Sequence, residues 1–406
     1  MQRALWARGF KVVLGRSDAV AAGGGMLVTA PALALPPALA ACEEVAFEEL
    51  GARSLCIAPG LELAARAVST AEERPGSGAL AAAAAACGTG LVVDVGFSST
   101  STAAVADGRL LPGTVRRIDL GGKALTSLLR EAVSFRAVSL AGENHLAGAI
   151  KEAVAYVAAD PYAAAADCAK GGSGGSGASA ALPPSDPAGP PPPIDPCPPL
   201  GTDPRVEYVL PDGVSVRGAG FARPLPPRLS RAERQAAAAA AAAATATTGK
   251  KRPASASGAA AAPPPENVIR LGLERFMTVE ALFHPGDAGS GQGGVAEAAA
   301  ASLAASPPHL RPLLSSRVLL VGGGAACPGF AARFAAELTP LLPDDCPPAL
   351  VCPADPVTAA WRGGAALAGD PAAWASRCLT KAEYEERGSA AGEWCAGGVV
   401  KKQGRQ

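Results

Sequence analysis

Short apolar runs and helical stripes alternate along the chain, and together they predict its architecture. The runs at 91–94 (LVVD) and 317–321 (RVLLV) have the length of buried strands; one ends in an acid and the other leads into glycines. Asp107 and Gly108 lie between apolar residues and predict a hairpin turn. The apolar segment 279–283 is predicted as a further short strand. Strands that alternate with helices indicate the α/β class.

Helices are predicted from the spacing of apolar residues and from one terminal motif. Two stripes repeat at the helical period and predict two successive helices with one buried face each. Thr380 and Glu383 have the spacing of a capping box, which predicts the start of a short helix. Apolar residues near the N-terminus are interpreted as core residues of a folded segment, with a transit peptide as the alternative. The stripes are Leu125, Leu128, Leu129 and Val133, then Leu146, Ile150, Val154 and Val157; the N-terminal residues are Trp6, Phe10, Val12, Val13 and Leu14.

Two low-complexity segments interrupt this pattern. Residues 170–204 are Gly-Ser repeats followed by prolines, a composition that predicts a flexible and then a stiff linker. Residues 231–265 contain an alanine run, which favours helix but lacks a core-facing stripe, and then the basic cluster 250–252. That cluster is either a weak nuclear-import signal or a set of solvated charges in a loop.

Charge and cysteine usage narrow the function classes. The 406 residues include 36 basic and 36 acidic side chains, so binding to nucleic acid or anionic membranes through overall charge is excluded. The ten cysteines include no CxxC pair and the three histidines are scattered, so no metal site is predicted. The cysteines are interpreted as reduced thiols. Proline, glycine and charge interrupt every apolar run before it reaches the length of a membrane span.

Two turns that follow strands carry the candidate chemistry. In 93–100 (VDVGFSST) an acid, a glycine and hydroxyl side chains are adjacent, a combination that suits a phosphate and a hydrated cation. The triplet 322–324 (GGG) lets the backbone approach a flat ligand closely. Taken alone, each is better explained as a tight turn in a sheet. Their joint presence in one α/β chain favours a ligand site.

The order of these turns and of several other motifs resembles the actin family. The matches extend over most of the chain outside the two inserts and comprise 94–100, 117–126 (RIDLGGKALT), 150–152 (IKE), 274–276 (ERF), 280–283 (EALF), 322–324, 328–330 (PGF) and 360–364 (AWRGG). Within the family, the chain is most similar to the nuclear class of actin-related protein 6. That similarity rests on 47–50 (FEEL), 133–136 (VSFR), 208–212 (YVLPD) and 379–386 (LTKAEYEE).

The resemblance implies a fold and a division of the chain. The expected fold is the actin-like, bilobed α/β fold of the actin, heat-shock chaperone and sugar-kinase superfamily, with part of the small domain missing and two low-complexity inserts. Residues 1–14 resemble a later helix of the family, so its first phosphate loop is expected to be absent. The expected parts are a remnant of the small domain at 1–84, the large domain with a phosphate hairpin at 85–122, a helical subdomain at 123–273 with inserts at 170–204 and 231–265, the large domain with the glycine-rich turn at 274–358, and a C-terminal return to the small domain at 359–406.

The resemblance also implies ATP or ADP as the cofactor and names its candidate ligands. The implied roles are Asp94 at the cation-bound phosphates, Gly96 and Ser98 along the hairpin, Gly122 near the ribose, Lys151 and Glu152 beside the adenosine, and Gly322, Gly323 and Gly324 facing the base and phosphates. Judged from the residues alone, Lys151 and Glu152 form a solvated helix face. His145 is predicted at a helix start on the surface, and Trp361 in the core under the sheet.

Several departures from the family count against hydrolysis and weaken the expectation of a bound nucleotide. Besides the first phosphate loop, the family's water-positioning histidine is missing, and Ser101 stands in its place. Phe97 is expected to crowd the turn with an aromatic ring, and Val357 stands where the family has a lysine that contacts adenine. No catalytic residue is therefore expected.

By resemblance, the chain is a non-enzymatic subunit of a SWR-type chromatin-remodelling complex in the nucleus. It would pair with a zinc-finger HIT subunit, dock on the remodeller ATPase, and help to engage the nucleosome during exchange of the Z-type histone variant. The main alternative is an enzyme of the wider superfamily, but a kinase needs an intact phosphate loop and a catalytic carboxylate near its cleft. A third alternative, a cytoplasmic relative in dynactin or at filament branches, is disfavoured by the class-specific segments.

Overall fold

The architecture is known from a computed structural model that describes residues 2–15, 20, 24–67, 79–136, 139–170, 204–211, 218–225 and 267–390. Apart from its two end residues, the insert at 170–204 lies outside these ranges, and so does the whole insert at 231–265. The chain divides into two compact units. The first comprises 1–128, 156–159 and 276–406, and the second comprises 129–155 and 160–275.

Strands of the described residues form three sheets. One sheet of the first unit has the order β1-β2-β12 and the other has the order β11-β10-β3-β4-β5, with β6 also paired to β4. The second unit contains the antiparallel sheet β8-β7-β9. The strands are β1 Gly25–Ala30, β2 Ser54–Pro59, β3 Gly90–Val95, β4 Thr100–Ala106, β5 Arg109–Leu110, β6 Arg116–Ile118, β7 Val206–Val209, β8 Phe221–Pro224, β9 Val268–Leu271, β10 Val318–Val321, β11 Leu350–Val351 and β12 Leu379–Thr380.

Helices connect and cover these strands, so the predicted α/β class is confirmed. The helix predicted from Thr380 and Glu383 begins as expected, because each side chain caps a backbone N–H of the other residue. The helices are α1 Gln2–Leu14, α2 Pro36–Glu44, α3 Gly60–Ala67, α4 Ala79–Ala86, α5 Gly122–Arg136, α6 Asn144–Val154, α7 Pro161–Lys170, α8 Glu274–Glu280, α9 Val295–Ala304, α10 Arg311–Ser315, α11 Phe330–Leu338, α12 Ala359–Gly369, α13 Pro371–Arg377 and α14 Lys381–Arg387.

The central sheet of the first unit is buried on both faces, as is typical of a sheet covered by helices. Because successive residues of a strand point to opposite faces, Ala103 and Val105 pack in one apolar cluster and Ala104 packs in another. The first cluster includes residues of α3 and α12, and the second includes Leu303 of α9 and Leu314 of α10. The parallel strands β3 and β10 lie between these layers, so their carboxyl ends meet at one edge of the sheet.

Two of the predicted elements differ from the structure. The second stripe ends at Val154, the last residue of α6, and Val157 instead donates its N–H to the Pro328 carbonyl in the first unit. The segment 279–283 is the end of α8 and a turn, since the N–H groups of Leu282 and Phe283 bond back to carbonyls three residues earlier. Here a short apolar run was wrongly assigned to a strand, an ambiguity inherent in such runs.

The N-terminal segment is a helix, but its apolar residues are not all core residues. Trp6 and Phe10, one turn apart, pack against the cluster around β1 and β2. Val12, Val13 and Leu14 in the last turn are exposed. Only a limited stripe of a surface helix can face a core, which explains why this prediction was wrong for the last turn. Among the described residues, no helix combines the length and the apolar character needed to cross a membrane.

Candidate functional site

Asp94 and the turn after it lie at the edge where the strands β3 and β10 end. In the register of the sheet, Asp94 is opposite Val321 on one side and Ser101 on the other. The Gly96 N–H donates to the Ser99 carbonyl at 3.2 Å and closes the turn. Ser98 at the tip is exposed. The turn thus joins β3 to β4 at the position that the sequence indicated.

The first residues of α5 are attached to this turn. The N–H groups of Gly122 and Lys123 donate to the carbonyls of Gly96 and Phe97, at 3.0 and 2.8 Å. Gly121 is required at the junction, because a Cβ atom there would lie 2.7 Å from the Ser99 nitrogen and 2.8 Å from two carbonyl oxygens. Backbone N–H groups at a helix start are suited to binding anions, but here two of them bind the protein's own carbonyl oxygens.

The glycine triplet after β10 packs against the end of β3. Gly322 has φ +88°, and a Cβ atom on it would lie 2.5 Å from both the Asp94 Oδ1 atom and the Val95 carbonyl oxygen. A Cβ atom on Gly324 would overlap the Val95 side chain. Gly323 differs, since its nearest neighbour would be the Val357 Cγ2 atom at 4.0 Å. Two of the three glycines therefore allow close packing within the protein.

Asp355 organises a loop beside the triplet. The Gly322 N–H donates to the Pro356 carbonyl at 2.9 Å and so attaches this loop to the end of β10. Asp355 accepts hydrogen bonds from the N–H groups of Val357 and Thr358 and, at 2.7 Å, from the Thr358 hydroxyl. The loop thereby places Val357 beside Gly323 with its side chain exposed.

The structure brings seven of the nine candidate residues to one edge of the first unit. These seven are Asp94, Gly96, Ser98, Gly122, Gly322, Gly323 and Gly324. Lys151 and Glu152 belong to α6 of the second unit, where Lys151 is half-buried and Glu152 is exposed. His145 lies exposed in the first turn of α6, as predicted.

Two aromatic side chains occupy different environments from those predicted. Phe97 is 70% exposed, so its ring extends from the turn instead of crowding it. Trp361 is 72% exposed and not under the sheet. In α12 the buried residues Ala359, Gly363 and Leu367 repeat every four positions, and Trp361 is two residues out of phase with them. Two residues correspond to about 200° of rotation, which places the indole on the opposite face.

Sequence reasoning missed two contributors to this edge, Gly121 and Asp355. The Gly121-Gly122 doublet between a strand and a helix could have indicated Gly121, because two adjacent glycines are typical of a tight junction that leaves no room for side chains. The resemblance named only Val357 of the loop that Asp355 organises, and the contact of this loop with Gly322 could not be found from the sequence because it joins residues far apart in the chain.

A group of possible metal ligands lies elsewhere in the first unit. Glu280, His284 and Glu337 bring one donor atom each within 4.8 Å of the others. Arg333 already lies among them, 2.9 Å from Glu280 and 2.6 Å from Glu337. The His284 Nδ1 atom is 2.8 Å from Glu280. The guanidinium thus supplies the positive charge that balances these carboxylates, and the group is an ion-pair cluster.

The pKa values of Asp94 and Asp355 are shifted in opposite directions, so the two carboxyls are expected to affect stability in opposite senses. Burial raises the pKa of Asp94, whereas the Thr358 hydroxyl bond lowers the pKa of Asp355. When folding raises the pKa of a group, the folded state loses stability as the pH rises from the pKa of the unfolded chain through that of the folded chain. When folding lowers the pKa, the group stabilises the folded state above the pKa of the unfolded chain, and this stability is lost as the pH falls through the pKa of the folded chain.

We therefore expect Asp94→Asn to raise the thermal unfolding midpoint at pH 7 and Asp355→Asn to lower it. The gain from Asp94→Asn should disappear below the ordinary aspartate pKa, where the wild-type carboxyl is already neutral. Thermal melts of both variants from pH 3 to 8 measure this. A loss of stability in Asp94→Asn that grows with pH would contradict the assignment of Asp94 as a desolvated carboxyl.

Comparison with known proteins is consistent with this geometry. The family model described as "Actin" matches residues 1–396. An actin-related protein 6 of Oryza sativa subsp. indica is 34% identical over 355 residues, which is 87% of this chain and 73% of the rice protein. The Arabidopsis thaliana protein of the same name is 30% identical over 392 residues, 96% of this chain and 80% of its own length. The Drosophila melanogaster protein of the same name is 29% identical over 364 residues, which is 89% of this chain and 74% of the fly protein.

Proposed function

The chain belongs to the actin family, and we propose that it acts as a non-catalytic actin-fold subunit of a SWR-type chromatin-remodelling complex in the nucleus. The observation that carries the proposal is its similarity, over most of its length, to proteins named actin-related protein 6 in plants and an insect. In this role the fold is a rigid platform for protein partners. The partners we propose are the remodeller ATPase and a zinc-finger HIT subunit, with the nucleosome engaged indirectly during exchange of the Z-type histone variant.

The residues at the sheet edge fit the family's cofactor, ATP or ADP, poorly. A phosphate group needs N–H donors, but those of Gly122 and Lys123 bind the carbonyls of Gly96 and Phe97. Desolvation of Asp94 raises its pKa and disfavours its charged form, which weakens this carboxylate as a ligand for a hydrated cation. Phe97 and Val357 are exposed apolar side chains at this edge, and by resemblance Val357 replaces a lysine that contacts adenine. These features support a subunit without hydrolytic activity.

We predict that the purified chain releases phosphate from Mg-ATP at the rate of the buffer background. Phosphoryl transfer depends on positioned charge and an oriented water, and Ser101, which lies opposite Asp94 in the sheet, has no ionisable side chain to orient it. A coupled phosphate-release assay measures this, with Asp94→Ala and the surface variant Asp119→Ala as a matched pair. Turnover that Asp94→Ala abolishes and Asp119→Ala retains would favour the enzyme alternative and contradict the proposal.

Binary reconstitution tests the partner assignment. The chain is co-expressed with the zinc-finger HIT subunit, and separately with the remodeller ATPase, and each mixture is analysed by size-exclusion chromatography. We expect co-elution with the HIT subunit at equal stoichiometry. Elution of the chain as a folded, separate species in both mixtures would contradict the proposed role as a subunit.

A further inference from the structure

Two buried thiols lie opposite each other where the C-terminal strand joins the small sheet of the first unit. Cys56 is in the middle of β2, and Cys378 immediately precedes β12. The strands β12 and β2 are antiparallel, with Leu379 opposite Leu55 and Thr380 opposite Ser54. Extending this register by one residue places Cys378 opposite Cys56.

The hydrogen bonds identify what kind of pair this is. The Lys381 N–H donates to the Arg53 carbonyl at 2.9 Å, so these two opposite residues form a hydrogen-bonded pair. Since pair types alternate along an antiparallel ladder, Cys378 and Cys56 form a non-hydrogen-bonded pair. The Cys378 N–H accordingly donates to the Trp374 carbonyl instead. In such pairs the Cα atoms are about 4.5 Å apart, a spacing that a disulfide accommodates.

The side chains also share one environment. Cys56 and Cys378 belong to the same apolar cluster, with Leu63 and Leu367 among its other members, and they are 0% and 5% exposed. Burial raises the pKa of Cys56 to about 12, with Arg377 acting in the opposite direction and Cys378 among the groups close enough to contribute. Both thiols are therefore shielded from solvent while this part of the fold is closed, and the raised pKa keeps the Cys56 thiol protonated.

We propose that Cys56 and Cys378 are an oxidisable dithiol, which an oxidant of the peroxide class converts into a disulfide between β2 and the C-terminal segment. Cys378, the more exposed thiol, attacks one peroxide oxygen; the O–O bond breaks, a sulfenic acid forms and water leaves. The Cys56 sulfur then attacks the Cys378 sulfur, the S–S bond forms and a second water leaves. In sum, two thiols and one hydrogen peroxide give one disulfide and two waters.

The disulfide would fix the segment that contains α13, β12 and α14. That segment brings Arg377 to Glu62 and the capped helix at Thr380 to the sheet of the first unit. A cross-link that closes so long a loop reduces the entropy of the unfolded chain and raises stability. Because the thiols are buried, the reaction needs local opening of this segment, so we expect it to be slower than oxidation of the exposed Cys87.

The test uses the full chain, reduced first and then treated with hydrogen peroxide. Peptide mapping by mass spectrometry under non-reducing conditions should find a peptide that links Cys56 to Cys378 and disappears with a reducing agent. The thermal unfolding midpoint should rise by several degrees on oxidation. The variant Cys346→Ala, which removes a buried thiol in another apolar cluster of the first unit, should retain both results, and Cys378→Ala should lose both.

Cys56→Ala provides a second variant, and the reduced form of each variant is melted first to establish that it is folded. Peroxide treatment continued well beyond the complete oxidation of Cys87 in the wild type, without any Cys56–Cys378 peptide forming, would overturn the proposal. An equal rise in the unfolding midpoint of Cys378→Ala or Cys56→Ala on oxidation would overturn it as well.

Discussion

Replacing Arg377 with methionine is expected to lower the free energy of unfolding by about 3–5 kcal/mol, the cost of leaving a buried charge without its partner. Arg377 and Glu62 form an ion pair in which both side chains are buried. Arg377 Nη2 also donates to the Gly108 carbonyl at 2.9 Å, and Glu62 Oε2 accepts from the Leu110 N–H at 3.3 Å. The pair thus joins α3 and α13 to the β4–β5 hairpin.

The control is an exposed ion pair in the same C-terminal segment. Lys381 and Glu385 are 3.8 Å apart and 49% and 65% exposed, so Lys381→Met should change stability by about 0.5 kcal/mol or less. Adding Glu62→Gln to Arg377→Met should recover part of the loss, because it removes the uncompensated charge. Chemical denaturation of the four proteins measures this. An Arg377→Met variant as stable as Lys381→Met would contradict the structural role of the buried pair.

The second large effect is expected from one glycine of the triplet. Gly322→Ala combines a positive φ, unfavourable for alanine, with a Cβ atom 2.5 Å from the Asp94 Oδ1 atom and the Val95 carbonyl oxygen. We expect a loss of about 2–6 kcal/mol, since backbone strain and overpacking each contribute about 1–3 kcal/mol.

Gly323→Ala is the matched control for this variant. Its Cβ atom would lie 4.0 Å from the Val357 side chain, an ordinary contact, and its φ lies outside the positive region. Its stability should therefore remain within about 0.5 kcal/mol of the wild type. Thermal and chemical unfolding of the two variants compare them directly. If the two substitutions lower stability equally, the close packing of Gly322 against β3 is not the reason for glycine at position 322.

Local signals were readable from the sequence because they depend on a few neighbouring residues. Asp107 and Gly108 form the predicted hairpin turn with φ values of 50° and 63°, and the capping box at Thr380 is present. The exposure of Trp361 could not be predicted from the sequence, because the buried face of α12 is determined by its close packing against α3. At that contact a Cβ atom on Gly363 would overlap the Leu63 carbonyl.

The candidate site was predictable in position but not in detail. The acid and glycine motifs indicated the two turns that the structure places at one sheet edge. What the glycines contact was not readable, since the neighbours of Gly322 and Gly324 belong to a strand more than two hundred residues earlier. A sequence pattern does not distinguish a glycine that admits a ligand from one that admits the protein's own backbone.

The most direct test of the central claim is purification of the tagged full chain from nuclear extract, followed by quantitative mass spectrometry of the associated proteins. We predict that the remodeller ATPase, the zinc-finger HIT subunit and the Z-type histone variant are enriched over an untagged control. The Arg377→Met variant, expected to be less stable, should recover less of each. A stable chain that is absent from the nuclear fraction, or that is recovered from it without any remodeller subunit, would contradict the account.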